Sequence, residues 1–149
     1  MNLSFAGAVY TPDGERIFYQ HGDAAECCHL WVVNADGSGA HSFVPEGDPG
    51  WSGQPGVSPD GQHIAYRWNA NNETQLGLAV ARVDGTGPVI RSGAITGDWW
   101  SWAPDSSKIL TFKADASTHA SLLDPGGGPS TTVPWSSEPN LDWQRIAAP

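Results

Sequence analysis

Val57-Ser58-Pro59-Asp60-Gly61-Gln62-His63-Ile64-Ala65-Tyr66 decides the fold, because the chain writes the same pattern twice more. Tyr10-Thr11-Pro12-Asp13-Gly14 runs into Arg16-Ile17-Phe18-Tyr19, and Trp102-Ala103-Pro104-Asp105-Ser106 runs into Lys108-Ile109-Leu110-Thr111-Phe112. The three prolines stand 47 and 45 residues apart, a spacing that marks a repeat architecture. Proline presets the angle that opens a tight turn, aspartate accepts from the turn's own amides, and glycine takes the left-handed angle.

A second apolar run follows in each unit after a polar loop: Leu30-Trp31-Val32-Val33, Leu76-Gly77-Leu78-Ala79-Val80 and Ala120-Ser121-Leu122-Leu123. Each ends in a glycine turn, Asp36-Gly37-Ser38-Gly39, Asp84-Gly85-Thr86-Gly87 and Asp124-Pro125-Gly126-Gly127-Gly128, and a short strand-like piece closes the unit at 40–44, 89–92 and 131–133. Asp-Gly between alternating runs is a hairpin signal. Four strands per unit, with no sustained helical periodicity, describe a propeller blade. The expected fold is all-β, with three blades of four antiparallel strands at about 3–45, 53–92 and 98–134. One extra innermost strand is expected at 140–147, which makes a partial or half propeller.

Ser58-Pro59-Asp60-Gly61 with His63-Ile64-Ala65-Tyr66, and Leu30 through Gly39, resemble the repeat of the PD40, or TolB-like, family of β-propellers. The resemblance covers nearly the whole chain. The third unit departs most, with Ser106 in the glycine position and Pro125 in the second turn, while the Gly-His and Trp-Asp pairs of WD40 repeats are absent. The family implies that Asn140 to Ile146 is the innermost strand of a fourth blade, with Trp143 in the place of Trp102. It also implies a periplasmic or extracellular setting, although Met1 to Phe5 show neither the basic segment nor the long apolar stretch of a signal peptide. Propellers close with typically four to eight blades. A further segment, or another copy of the chain, is therefore expected to complete the ring.

Eighteen glycines and twelve prolines punctuate short strands, and eight tryptophans supply flat side chains for packing between blades. The net charge of −9 argues against nucleic acid, whose binding needs a positive surface. No apolar run approaches the ~20 residues that span a bilayer.

Running each blade from innermost to outermost strand puts the short turns on one face and the longer connections on the other. Irregular loops on a rigid frame carry most binding residues. Asp48, Trp51, Asp98, Trp99, Trp100 and Glu138 on that longer-loop face form the expected ligand site, a mixture of stacking and hydrogen-bonding groups suited to a peptide or glycan. The competing reading is that the tryptophans cap the core and the acids solvate the loops. In the 21–29 loop, His21, Glu26, Cys27, Cys28 and His29 are metal-ligand types, but they lack the Cys-x-x-Cys or His-x-x-x-His spacing that puts two ligands on one side of an ion. Reduced thiols or a vicinal disulfide remain the alternatives for the two cysteines.

No nucleophile elbow, phosphate loop or His-Glu-x-x-His helix occurs, so no catalytic residue and no cofactor is assigned. Some propellers of this repeat class are lyases with histidines near the channel. The innermost strands expected here, at 3–10, 54–57, 99–102 and 141–146, contain none. The sequence is read as a non-enzymatic binding module that presents its loop face to a protein, peptide or glycan. The alternatives are part of a propeller enzyme, as a lyase or a peptidase gating domain, and a self-assembling structural half-ring.

Overall fold

Antiparallel hairpins account for all the regular structure of the computed structural model, which describes residues 7–22, 28–43, 51–69, 77–94, 99–112 and 119–136. Two units divide the chain, Met1–Ala94 and Ile95–Pro149. In the first unit, β1 (Ala8–Tyr10), β2 (Arg16–His21), β3 (His29–Asn34) and β4 (His41–Ser42) form one sheet in chain order. A second sheet follows the same order through β5 (Trp51–Val57), β6 (His63–Asn69), β7 (Gly77–Arg82) and β8 (Ile90–Ala94). The second unit holds β9 (Trp99–Trp102), β10 (Ile109–Phe112), β11 (His119–Leu123) and β12 (Thr131–Ser136), again paired in sequence. These are three four-stranded antiparallel blades of a partial propeller. The expected fourth innermost strand at 140–147 lies outside the described residues.

The first two Pro-Asp turns form because amides within them find local partners. In the first, the Gly14 amide donates to Thr11 O at 2.8 Å, the Glu15 amide to Asp13 Oδ1 at 3.0 Å and the Arg16 amide to Thr11 Oγ1 at 3.0 Å. The second copies it: Gly61 N–H to Ser58 O, Gln62 N–H to Asp60 Oδ1 and His63 N–H to Ser58 Oγ. Thr11 and Ser58 are buried, so a hydroxyl there satisfies an amide that water cannot reach. In the third turn Ala103 lacks that hydroxyl, and Ser106 adopts φ 63° where Gly14 and Gly61 have 75° and 72°. The backbone conformation is thus kept, at a cost that glycine avoids.

The strands reach further toward the long connections than the apolar runs suggest. Trp51 is the first residue of β5, paired with Asn69, rather than part of the preceding loop, and Gln20, His21, Asn69, Gly93, Ala94 and 134–136 also extend strands. Polar residues end an apolar run in the sequence, yet ladder pairing continues through them because it uses only backbone groups. In β5 the register shifts between Gly53 and Gly56, so Gln54 and Pro55 form a bulge, and Gln54 takes φ 50°.

The core of the first unit lies between its two sheets. Phe18, Leu30, Val32 and Phe43 of the first sheet pack with Ile64, Tyr66, Ala79 and Ala81 of the second, and Phe18 meets Phe43 edge to face at 5.1 Å. In the second unit Leu110, Ala120 and Val133 make a smaller cluster.

Candidate functional site

Alternating strand direction gives each blade two different ends. The Pro-Asp and Asp-Gly turns lie at one end, and the β2–β3 and β6–β7 connections leave from the other. At the loop end of its own blade Trp51 begins β5, paired with Asn69, and Trp99 begins β9, paired with Phe112. Trp100 follows Trp99, half-buried and opposite Thr111. The other expected site residues, Asp48, Asp98 and Glu138, lie outside the described residues.

The loop end of the first unit is stitched across its two sheets. Ser52 donates its amide to Cys28 O at 2.9 Å and accepts the Leu30 amide on Oγ at 2.9 Å. Ser52 is buried, so both bonds work away from water. Beside it Gly53 leaves room for Gln20, since a Cβ there would sit 2.4 Å from Gln20 Oε1. That oxygen is buried and has no hydrogen-bond partner among the described residues. On the opposite face of the first sheet, His21 lies 4.9 Å from the Trp31 ring and 6.3 Å from Tyr19.

His21 and His29 are cross-strand neighbours, His21 is exposed against Trp31, and Cys28 is buried and disulfide-bonded. A disulfide sulfur has no thiolate to offer a cation. Cys27 is the other cysteine of the sequence, and it lies, like Glu26, outside the described residues. Among the described residues no group of three or more His, Cys, Asp or Glu is placed to hold a metal.

The opposite, turn end of the first unit carries a cleft that no sequence motif announces. Its volume is about 220 Å³, with Val32, Phe43 and Val83 contributing apolar surface and Arg16, His41 and Asp84 polar groups. Four separate segments meet there, each chosen locally for turn or strand geometry, so no contiguous pattern marks the site. Arg16 Nη1 donates to Val83 O at 3.2 Å, which holds the guanidinium across the seam between the sheets. Asp84 accepts from Arg82 Nε and Nη2 and from the Thr86 amide and hydroxyl. The Arg82 guanidinium, then those Thr86 donors, hold its carboxyl well below the usual carboxylate range. His41 Nδ1 lies 2.7 Å from Gly39 O, so the ring nitrogen left over is Nε2.

No protein-family model matches the chain, and no curated protein matches it. Solved structures do. A TolB protein from Agrobacterium tumefaciens superposes with a TM-score of 0.61 at 24% identity, over 87% of this chain and 50% of that one. An oligogalacturonate lyase in complex with manganese gives 0.68 at 13% identity, over 95% of this chain and 38% of that one. A mutant puromycin hydrolase gives 0.64 at 19% identity, over 86% and 22%. The fold is that of a TolB-like β-propeller, and the chain spans half or less of the length of these proteins. Its neighbours include both TolB proteins and enzymes, so the fold is shared across activities. Among the described residues no helix is long and apolar enough to cross a membrane.

Proposed function

We propose that the chain is a non-enzymatic binding module, a set of TolB-like blades that presents its loop end to a protein, peptide or glycan. The observation that carries this reading is that β5 and β9 each begin with a tryptophan, Trp51 and Trp99, where the strand leaves the loops. Tryptophan is a residue type suited to stacking on a ligand, and Asp48, Asp98 and Glu138 lie nearby in sequence as candidate acceptors. The enzyme reading has less support: β1, β5 and β9 contain no histidine, and the described aspartates of the turns are engaged by backbone amides. The ring is completed by blades from another chain or a further segment. A disulfide at Cys28 suits the oxidising setting that the family resemblance implies.

The test is binding to peptide and glycan arrays with Asp48→Ala, Asp98→Ala and Trp99→Ala. The reading expects a ligand class bound by the wild type to be lost in these variants while circular dichroism stays unchanged. Retained binding in all three, or unfolding of the variants, overturns the loop-end site.

A further inference from the structure

The turn-end cleft between the first two blades has an asymmetry of unused hydrogen-bonding capacity. Its one acidic group, Asp84, is already engaged by both the Arg82 guanidinium and Thr86, so it presents little further demand for donors and its charge is offset. Its one permanent cation, Arg16, spends a single N–H on Val83 O, and among the described residues its other N–H groups donate to nothing. The neighbouring Asp13 carboxylate feels the Arg16 charge, but it is engaged by Thr11 Oγ1 and the Glu15 amide. A guanidinium fork with free donors matches a carboxylate bidentately.

The rest of the cleft suits the body of such a ligand. Val32, Phe43 and Val83 are buried and supply apolar surface, while His41 is fixed at the rim through Gly39 O. At about 220 Å³ the space falls short of the roughly 300–1,000 Å³ typical of drug-sized sites, and suits one amino-acid-sized group.

We propose that this cleft binds a small ligand carrying a carboxylate on an apolar body, either a free acid or the C-terminal residue of a peptide, with Arg16 as the carboxylate's partner. The site is at the opposite end of the blades from the loop-end surface, and each stands or falls alone.

Nuclear magnetic resonance titration of the labelled chain with N-acetyl-leucine, and with its amide, tests the proposal on the wild type. The acid is expected to shift the Arg16 side chain and the His41 and Gly85 amides at millimolar concentration, with the amide binding at least tenfold more weakly because it offers no anion. Arg16→Gln is expected to abolish the shifts, and Arg16→Lys to weaken them by losing the fork. A Gly-Gly-Leu tripeptide that binds more tightly than N-acetyl-leucine identifies a peptide end as the source, and equal binding identifies a free acid. Acid and amide binding alike, or no shift at the cleft with either acid or tripeptide, overturns the proposal. The comparison of acid with amide needs no variant to fold.

Discussion

In β7 of the second blade five consecutive residues, Gly77 to Ala81, are buried, whereas in β3 of the first blade buried and half-buried residues alternate. Both are third strands of the same repeat, and both contribute one face to the shared core: Ala79 and Ala81 from β7, Leu30 and Val32 from β3. They differ on the second face. Leu78 and Val80 are buried there in β7, while Trp31 and Val33 of β3 stay half-exposed beside Ile17, Tyr19 and a Tyr10 that is 59% exposed. A strand covered on both faces reads as a continuous apolar run, and one covered on a single face alternates. The first blade therefore carries a second apolar face of the kind that another blade packs against.

Substitutions on the two faces carry the largest expected effects. Phe18→Ala, in the shared core, is expected to cost about 3–5 kcal/mol and Leu78→Ala about 2–5, whereas Val33→Ala costs about 1 kcal/mol or less, read from urea midpoints. Equal losses at Val33 and Leu78 would mean that β3 is covered on both faces, as β7 is. Next comes the seam at the loop end. Gly53→Ala drives a methyl into Gln20 and is expected to cost about 1–3 kcal/mol, with Gln20→Ala recovering most of that loss in the double variant.

The repeat itself was legible because turn chemistry is local: Pro12-Asp13-Gly14 and Pro59-Asp60-Gly61 name their own geometry, and the apolar runs after them name the strands. The strand ends were not, since Trp51, Asn69 and Gln20 pair through backbone groups whatever their side chains. The cleft was invisible for a different reason. Arg16 looks like the first residue of a strand and Asp84 like a turn former, and their meeting is a product of packing between sheets. A long basic side chain at the turn end of a strand, beside a neighbouring blade's Asp-Gly turn, is the signal that could have found it.

The three Pro-Asp turns give smaller effects of known sign. Ser106→Gly is expected to stabilise by about 1 kcal/mol by relieving a left-handed serine, and Gly61→Ser to destabilise by a similar amount. A loss at Ser106→Gly would contradict the reading of φ 63° as strain. The smallest effect is electrostatic. Asp84 and Asp36 have carboxyls held below the ordinary value by the Arg82 guanidinium and the Ser38 hydroxyl respectively. A depressed folded pKa contributes stability that is present above the unfolded value of about 3.9 and lost as pH falls through the folded one. The urea midpoint is expected to fall below about pH 4, and Asp84→Asn to flatten that fall slightly.

Whether the first blade's apolar face is covered by a partner is decided by the solution mass of the 149-residue chain from light scattering after gel filtration, together with dye binding to exposed apolar surface. Association through the half-exposed apolar face of the first blade is expected, with Trp31→Glu or Tyr10→Glu returning the particle to the mass of a single chain. A wild-type chain that runs as a monodisperse monomer and binds no dye would contradict it.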